Sequence, residues 1–462
     1  MIRPHSLPWL AVLGLAAACA AQPATPAYEG FAPCADAGDY PALADSLCRV
    51  ESVPLHPLHE GDESTIELFV RLFPERDLHA RRGAVWLIAG GPGESGASFY
   101  PFLDEFRTAF PGYDLVIPDH RGTGYSAKLC PDQESPQSAD GIALAGEEWG
   151  PCIGQMFADP GRVHGFTITN AAHDLSSLIG RHREPGEVLV YAVSYGTQLA
   201  LRMMQAAPVA LDGLVLDGLV PAEGAAGADL SRRTAIVDAV GRDQLTDDEL
   251  AAYARLLHED SASASWAGSV PGGDLRRFMG ALLNFPTLRE RIPALIDTLG
   301  RGETGLLDDT AAELEGLLAT LNAYPQSPPS LPLVMLVSGS ENNERRDLTA
   351  DTVAAESADA LFTSPLPGLL VGIPAPLYER DAYFGGGPAS LPRTLIIHGT
   401  HDPNTPYEGA RAHAGMLAQA GEVSFTTVEG AAHFLPFVAP SCFVQAVSAF
   451  VAGEQAPETC RP

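Results

Sequence analysis

Apolar runs and segments of helical spacing alternate along the first half of the chain and again near its end. Continuous apolar runs predict strands that are buried on both faces of a sheet. The predicted strands are residues 64–73, 83–89, 113–118, 188–193, 211–216, 393–398 and 423–428. The predicted helices are residues 170–182, 196–207 and 443–451. This rhythm is typical of an α/β fold in which helices flank a mostly parallel sheet.

The pattern changes in the middle of the chain, which has 462 residues. Residues 221–385 are mainly of mixed polar and apolar helical character, with breaks rich in Gly and Pro. We interpret them as a mainly helical lid inserted into an α/β core. The first part of that core is expected at residues 28–220 and the second part at residues 386–462.

The N-terminus has the features of an export signal. Basic residues precede a short apolar run, and small residues follow it, so residues 1–20 are expected to be removed or processed. Cleavage before Cys19 would produce a lipoprotein, whereas cleavage after Ala20 would release a secreted protein. The lipoprotein is favoured slightly, which predicts a periplasmic or outer-membrane location. A lipid on Cys19 is the only expected contact with a membrane.

The cysteines agree with export. Seven are present, and six remain when Cys19 is set aside. These six form three pairs that are close in sequence: Cys34 with Cys48, Cys130 with Cys152, and Cys442 with Cys460. An oxidising compartment would make them disulfides, and buried free thiols are the alternative. No Cys-x-x-Cys spacing occurs, so neither a zinc site nor any other cofactor is expected.

The charge balance is strongly acidic, with 28 Lys and Arg against 58 Asp and Glu and a net charge of −30. Such a chain repels phosphate backbones, so nucleic acid is not an expected partner. The excess charge indicates a solvated acidic surface. Alternatively, it attracts cationic substrates such as peptides with a free α-amine. The sequence leaves the oligomeric state open.

A serine follows the predicted strand 188–193 and opens the predicted helix 196–207. The segment AVSYG at residues 192–196 matches the Gly-x-Ser-x-Gly nucleophile elbow, with Ala192 in the first glycine position. Small residues are needed there because the backbone is strained and neighbouring segments approach closely. We therefore predict that Ser194 is a nucleophile, the alternative being a surface or helix-capping serine.

The predicted base is His433, on the loop after the strand 423–428. A histidine after the last strand, in the chain order Ser, acid, His, is where this fold places its base. The rivals are His398, at the end of a strand, and His401, which is adjacent to the candidate acid.

The predicted acid is Asp402, in a turn of small residues after the strand 393–398. A carboxylate there would hold the imidazole in one tautomer and stabilise its cation. Asp217 is the rival, because it directly follows the strand 211–216. A turn-capping role for Asp402 is the structural alternative.

The sequence GGPG at residues 90–93 follows the strand 83–89. Glycines there allow backbone N–H groups to approach a substrate oxygen. The predicted oxyanion-hole donors are the N–H groups of Gly91 and of Tyr195, the residue after the nucleophile. A plain Gly/Pro turn is the alternative.

Several motifs together resemble the prolyl iminopeptidase and tripeptidyl aminopeptidase group of α/β hydrolases. They are GGPGESG at residues 90–96, DHRGTGYS at 119–126, SYGT at 194–197, LDG at 216–218, GTHDPNTP at 399–406, and the C-terminal tail with its paired cysteines. The chain departs from the usual pattern at Ala89, where the group carries His, at His120 in place of Gln, and at Ala192 in place of Gly. None of these changes removes a catalytic group.

The resemblance implies an exported serine aminopeptidase that forms an acyl-enzyme on Ser194. It also implies recognition of the substrate α-amine by a lid carboxylate, for which Glu341 is the candidate. Glu341 could instead be exposed, or pair with Arg345 or Arg346. An esterase or other small-molecule hydrolase on the same fold is the alternative function. A non-catalytic binding protein is disfavoured by the retained Ser, Asp and His.

Overall fold

A computed structural model describes residues 28–139, 141–258 and 266–462, and the predicted export signal with Cys19 lies outside these residues. The strands are β1 Ala32–Pro33, β2 Leu47–Pro54, β3 Thr65–Phe73, β4 Gly83–Ile88, β5 Tyr113–Pro118, β6 Glu187–Val193, β7 Gly213–Asp217, β8 Thr394–Gly399, β9 Val423–Val428 and β10 Thr459–Cys460. They form one sheet in the order β1-β2-β3-β5-β4-β6-β7-β8-β9-β10. Strands β1 to β3 pair antiparallel, as do β3 and β5. All other neighbours are parallel.

The observed strands follow the predicted ones closely. The runs β4, β5, β7 and β8 are buried at every position, because helices cover both faces of the sheet. Strand β2 and the two-residue strands β1 and β10 were not predicted. All three lie at or near the edges of the sheet.

The α-helices are α1 Leu103–Ala109, α2 Trp149–Ala158, α3 Pro160–Val163, α4 Ile168–Arg181, α5 Tyr195–Ala206, α6 Arg233–Asp243, α7 Asp247–His258, α8 Leu275–Leu282, α9 Pro286–Arg289, α10 Ile292–Gly300, α11 Gly305–Leu321, α12 Leu331–Ser340, α13 Ala350–Asp359, α14 Leu366–Leu369, α15 Tyr407–Leu417, α16 Leu435–Val438 and α17 Pro440–Val451. Short 3₁₀ helices lie at Pro41–Leu43, Gly96–Phe102, Gly146–Glu148, Leu230–Arg232, Ala267–Ser269 and Pro271–Gly273. Helices α6 to α14 fall between β7 and β8, so a helical region interrupts the α/β core. The exact boundaries at residues 220 and 385 stay predictions.

Three apolar clusters organise the packing. One sheet face packs against α4, α5 and α15, with Leu175 and Leu199 among its buried residues. The other face packs against α1 and α17, with Phe106 and Val447. The inserted helices α7, α8 and α10 share a third cluster around Phe278. The inserted region therefore has its own apolar core above the sheet.

Three disulfides join the cysteine pairs proposed from the sequence: Cys34 with Cys48, Cys130 with Cys152, and Cys442 with Cys460. The predicted pairing is confirmed. Disulfides persist in oxidising, extracytoplasmic compartments. None of the helices described is long and apolar enough to cross a membrane.

A buried ion pair fixes the loop after β5 to α4. Arg121 donates two hydrogen bonds to Asp174, at 2.6 and 2.7 Å, and the two side chains are 1% and 2% exposed. The guanidinium also donates to the carbonyl oxygens of Leu55 and Pro54. This pair anchors the segment that carries the DHRG motif to α4.

Replacing Asp174 by Asn is expected to lower the free energy of unfolding by about 3–5 kcal/mol, because it leaves a buried guanidinium without a counter-charge. Chemical denaturation followed by circular dichroism measures this change. The control is Arg277→Gln, which breaks the exposed pair with Asp274 and should cost less than about 1 kcal/mol. Similar small losses in both variants would contradict the assignment.

Candidate active site

Ser194 lies between β6 and α5 in a sharp turn. Its backbone has φ 56° and ψ −128°, a conformation that costs a non-glycine residue about 1–3 kcal/mol. The turn is held by hydrogen bonds from the Ser194 N–H to the Asp217 carbonyl at 2.9 Å and from the Thr197 N–H to the Ser194 carbonyl at 2.8 Å. Strain of this kind projects the hydroxyl away from the sheet at the start of the helix.

The residues beside Ser194 explain the small-residue motif. A methyl group on Gly196 would lie 2.5 Å from the carbonyl oxygen of Ile88 and 2.6 Å from that of Ala89, so only glycine fits. Ala192 is fully buried in β6 and pairs with Ile88 in β4. The first position of the motif therefore tolerates a methyl group, whereas the last does not.

His433 and Asp402 are joined by a direct hydrogen bond. His433 Nδ1 lies 2.6 Å from Asp402 Oδ2, and the carboxylate is only 1% exposed. Asp402 also accepts hydrogen bonds from the N–H groups of Asn404 at 2.7 Å and Thr405 at 2.9 Å, and from the Thr405 hydroxyl at 2.6 Å. These bonds fix the carboxylate in the plane that orients the imidazole.

The electrostatics suit an acid and base pair. Burial opposes the charge on both groups, yet their mutual attraction and hydrogen bond outweigh it. The pKa of Asp402 is therefore held well below its usual value, and the pKa of His433 is raised above its usual value. Asp402 stays ionised and stabilises a protonated His433.

The rival histidines lie elsewhere. His398 is fully buried at the end of β8, where Nε2 contacts the carbonyl oxygen of Thr405 at 2.9 Å. His401 lies 3.5 Å from the exposed carboxylate of Asp243. Neither of them lines the cavities beside Ser194, whereas His433 does.

Asp217, the rival acid, is buried behind the site. Its Oδ2 accepts a hydrogen bond from the Tyr191 hydroxyl at 2.7 Å and one from the Leu435 N–H at 3.1 Å. Burial raises the pKa of Asp217 to about 7. It acts on His433 through charge, while Asp402 makes the hydrogen bond to the ring.

The oxyanion loop, residues 90–93, is shaped by glycine. Gly91 has φ 109°, and a methyl group on it would lie 2.2 Å from the backbone nitrogen of Gly93. Within the described residues the N–H of Gly91 has no hydrogen-bond acceptor. Tyr195 is the first residue of α5, so its N–H has no acceptor within the helix. Both predicted donors are therefore free to bind a substrate oxygen.

The oxyanion loop is tied to the inserted helices. The N–H of Ser330, the residue before α12, donates to the Gly93 carbonyl at 2.9 Å. The side chain of Gln326 donates to Asp119 at 3.2 Å, and Asp119 accepts from the N–H of Gly96 at 2.7 Å. Two segments that are distant in sequence, the one before α12 and the one after β5, thus hold the loop in place.

Two of the positions that depart from the family pattern lie close to this loop. Ala89 is buried at the end of β4, and its carbonyl faces Gly196. His120 is buried with its ring centroid 5.7 Å from that of Tyr195. Burial lowers the pKa of His120 to about 4, so its ring is neutral near pH 7. His120 therefore packs beside the oxyanion donor without adding a charge.

Two cavities meet at Ser194 and Gly91. The smaller, which we call the acidic pocket, has a volume of about 70 Å³ and is also lined by Tyr195, Gln198, Glu223, Asp229, Arg233, Glu341, Asn342 and Glu344. The larger, which we call the apolar cavity, has a volume of about 480 Å³ and is also lined by Glu94, Arg233, Phe285, Leu314, Leu318, Leu321, Val334, His433, Phe434 and Phe437. His433 lines the apolar cavity and not the acidic pocket.

Glu341 lines the acidic pocket but pairs with neither Arg345 nor Arg346. Its Oε2 lies 3.0 Å from Arg202 Nη2, and its Oε1 accepts a hydrogen bond from the Tyr378 hydroxyl at 2.9 Å. It is 4% exposed, so the alternative of an exposed lid carboxylate is wrong. Its role toward a substrate stays a prediction.

Five charged residues that line the two cavities were missed in the sequence, namely Glu94, Glu223, Asp229, Arg233 and Glu344. Glu94 lies inside the oxyanion motif, and its side chain faces the apolar cavity without a hydrogen bond or ion pair among the described residues. Burial raises its pKa. The position of this acidic residue within the GGPGES motif is a local signal from which Glu94 could have been predicted to lie at the site. Arg233 carries no such signal, because it reaches the site only through the fold of α6.

Family models match two parts of the chain. A model of the alpha/beta hydrolase fold matches residues 83–294, and a model described as TAP-like protein matches residues 376–460. The first region contains Ser194, and the second contains both Asp402 and His433.

Solved structures with similar chains include an esterase from Thermogutta terrifontis, with 14% identity, 87% of this chain and 98% of that chain covered, and a TM-score of 0.38. The esterase RhEst1 from Rhodococcus sp. ECU1013 has 16% identity, coverage of 88% and 98%, and a TM-score of 0.38. The epoxide hydrolase VrEH1 from Vigna radiata also has 16% identity, coverage of 88% and 98%, and a TM-score of 0.38. Likeness at this level says nothing about the substrate.

A search of curated proteins gave no match. The two family models, the parallel sheet and the inserted helices agree with one another. The chain has the alpha/beta hydrolase fold, and its C-terminal part is of the TAP-like, or tripeptidyl aminopeptidase-like, type.

Proposed function

We propose that the protein is an exported serine aminopeptidase that releases N-terminal residues or short peptides. Ser194 is the nucleophile, His433 the general base and then acid, and Asp402 the group that orients His433. Gly91 and Tyr195 supply the N–H groups that bind the oxyanion. The alternative function, hydrolysis of small esters, uses the same machinery and is decided by the substrate pockets.

The acidic pocket supports the peptidase reading. Four carboxylates line it, those of Glu223, Asp229, Glu341 and Glu344, against the single cation of Arg233. Arg202 lies behind the pocket, 2.7 Å from Glu223 and 3.0 Å from Glu341. Arg380 in turn lies 2.8 Å from Glu344. Even with these three arginines counted, the four carboxylates leave the pocket that Ser194 lines with an excess of negative charge. An α-ammonium group is a cation of suitable size to balance it.

The reaction follows from the positions of these groups. His433 takes the proton of the Ser194 hydroxyl as its oxygen attacks the carbonyl carbon, and the tetrahedral oxyanion binds the two N–H groups. The C–N bond then breaks, and His433 gives the proton to the leaving amine on the side of the apolar cavity. Water, deprotonated by His433, attacks the acyl-enzyme and regenerates Ser194.

A substrate panel tests this proposal. Purified protein is incubated with aminoacyl- and tripeptidyl-arylamides, each with a free or an acetylated N-terminus, and with simple acyl esters. We expect free arylamides to be cleaved and acetylated ones to be cleaved at least about 10-fold less efficiently, because acetylation leaves the acidic pocket uncompensated. Cleavage of esters alone would overturn the peptidase proposal. Equal cleavage of free and acetylated peptides would remove α-amine recognition.

Glu341→Gln tests the lid carboxylate. We expect KM for free-amine substrates to rise about 10-fold, because one negative charge leaves the acidic pocket, while kcat/KM for a neutral ester changes little. Glu379→Gln is the matched control, since Glu379 is 92% exposed and lies outside both cavities. An unchanged KM in Glu341→Gln would count against the assigned role.

The pH dependence of the rate should report His433. A general base must be unprotonated, so kcat/KM falls as the pH drops through its pKa. Because Asp402 raises that pKa, the acid limb is expected above pH 6.5. Asp217→Asn should keep this limb and move it to lower pH, since one nearby negative charge is lost. Loss of the limb in this variant would show that Asp217 is the titrating group.

We also propose that the mature protein is held at a bacterial membrane by a lipid on Cys19. The apolar run and small residues before Cys19 support this, as does the oxidising compartment that the disulfides indicate. The intact mass of the mature protein distinguishes a lipidated N-terminal Cys19 from an N-terminus at Ala21. A mass that corresponds to an N-terminus at Ala21 would contradict the lipid anchor and indicate a secreted protein.

A further inference from the structure

Arg233 is the first residue of α6 and lines both the acidic pocket and the apolar cavity. It is 8% exposed. The two cavities meet at Ser194, so this guanidinium lies where a bound substrate passes the nucleophile. The proposed mechanism assigns it no role.

The hydrogen bonds of Arg233 leave its charge uncompensated. Nη1 donates to the side-chain oxygen of Asn404 at 2.7 Å, and Nε has no partner. No carboxylate of the described residues lies within ion-pair distance of it, Glu94 in the same cavity included. Asp229 and Asp402 act on Arg233 only through longer-range charge, and both oxygens of Asp402 are already occupied.

The other buried arginines differ. Arg71 pairs with Asp36, Arg121 pairs with Asp174, and Arg202 pairs with three carboxylates. Arg289 donates to the carbonyl of Gly430 and lines neither cavity. A buried guanidinium without a counter-ion costs several kcal/mol. Among the described residues, Arg233 is thus the buried arginine that faces the substrate space and lacks an anion.

We propose that Arg233 binds a carboxylate group of the substrate on the leaving-group side of the scissile bond. Arg233 lines both cavities, and the acidic pocket is already assigned to the α-ammonium group. The leaving-group side is therefore the apolar cavity, which His433 also lines. A guanidinium presents paired N–H donors that match the two oxygens of a carboxylate. This inference rests on the proposed peptidase function and specifies the substrate further.

The dimensions of a peptide identify the substrate class. In a dipeptide the terminal carboxylate carbon is two bonds, or about 2.5 Å, from the leaving nitrogen, and each further residue moves it by about 3.5 Å. A short peptide with free ends therefore places its ammonium in the acidic pocket and its carboxylate at Arg233 together. The side chain of an acidic residue after the scissile bond is the second source of a carboxylate.

The test compares three substrates: leucyl-leucine, leucyl-leucinamide, and the α-amide of leucyl-glutamate. We expect kcat/KM for leucyl-leucine to exceed that for leucyl-leucinamide by about 10- to 100-fold, the effect of a charge-assisted hydrogen-bonded pair. A preference for the glutamyl amide alone would assign the side-chain carboxylate as the ligand. Equal rates for all three would overturn the proposal.

Variants then assign the preference to the residue. In Arg233→Gln the ratio of free acid to amide should fall toward one, and in Arg233→Lys it should be partly retained. Arg242→Gln removes a half-exposed charge from the same helix, whose partner is Asp238, and should keep the wild-type ratio. An unchanged ratio in Arg233→Gln would reject the assignment. If that variant does not fold, the wild-type ratio still decides whether a carboxylate is bound.

The outcomes separate this inference from the function on which it rests. Leucyl-arylamide has a free amine and no carboxylate. If the wild-type protein cleaves it but shows no preference for leucyl-leucine over its amide, the result supports the aminopeptidase function and rejects the proposed role of Arg233. If no peptide or arylamide is cleaved and esters are, the peptidase function itself fails.

Discussion

Ser194→Ala is expected to lower kcat for every substrate by roughly 10⁴-fold or more, because the acyl-enzyme can no longer form. The residual rate would come from the oxyanion hole and from binding alone. Initial rates with the best arylamide, at enzyme concentrations high enough to detect a slow reaction, measure the loss. Circular dichroism should be unchanged, since the hydroxyl makes no hydrogen bond in the described structure that supports the fold.

The control for this change is Ser98→Ala. Ser98 also lines the apolar cavity, and its hydroxyl donates only to the Ser95 carbonyl. Its removal should alter the rate by no more than about 3-fold. A fluorophosphonate probe should label the peptide that contains Ser194 in the wild-type protein and in Ser98→Ala. Full activity of Ser194→Ala would remove the whole mechanism.

Asp402→Asn should lower kcat by roughly 10⁴-fold, the effect expected when the partner of the imidazole can no longer stabilise its cation or its tautomer. The amide keeps the shape of the side chain, so the turn formed by Asn404 and Thr405 should persist. The acid limb of the pH profile should also move to lower pH, because the carboxylate no longer raises the pKa of His433.

Asp217→Asn is the matched comparison. Asp217 is equally buried and carries the same group, but it bonds to Tyr191 and Leu435 rather than to the ring. We expect a loss of kcat smaller than about 100-fold. If Asp217→Asn proves more damaging than Asp402→Asn, the order of the two acids is reversed.

Local sequence was sufficient for the α/β sheet and for the positions of the candidate triad. A strand that is buried on both faces favours a nearly continuous apolar run. That pattern is visible without any tertiary information in β4 and, with Asp114, Thr394 and His398 as exceptions, in β5 and β8. Ser194, Asp402 and His433 follow β6, β8 and the half-buried β9, and parallel strands bring their carboxyl ends to one edge. The hydrogen bond between Asp402 and His433 agrees with that expectation, while the catalytic roles await the variants above.

The ion-pair partners of the residues that line the two cavities could not be predicted from the sequence. The alternative considered for Glu341 was an ion pair with Arg345 or Arg346, yet its cation is Arg202, which is 139 positions away in sequence and belongs to α5. Arg233 reaches the cavities because the inserted helices fold over the sheet edge. Such contacts depend on how the inserted helices pack against the sheet. The spacing of apolar residues along the chain does not encode that packing.

The edges of the sheet were also difficult. Strand β2 is partly exposed, with Val50 56% accessible, so its side chains do not form an apolar run. Strands β1 and β10 have two residues each, too few for any periodicity. These edge strands form because they pair with neighbouring strands and are fixed by the disulfides Cys34–Cys48 and Cys442–Cys460. The intrinsic strand preference of their residues does not define them.

The bond between Ser330 and Gly93 limits how the site can open. If α12 swung outward as a rigid body, it would pull the loop that carries Gly91 and disturb the preformed donors. Helix α11 lines the opposite wall through Leu314, Leu318 and Leu321 and, within the described chain, makes no hydrogen bond to that loop. We therefore expect an outward movement of α11 to widen the apolar cavity while the hydrogen bond between Ser330 and Gly93 stays in place.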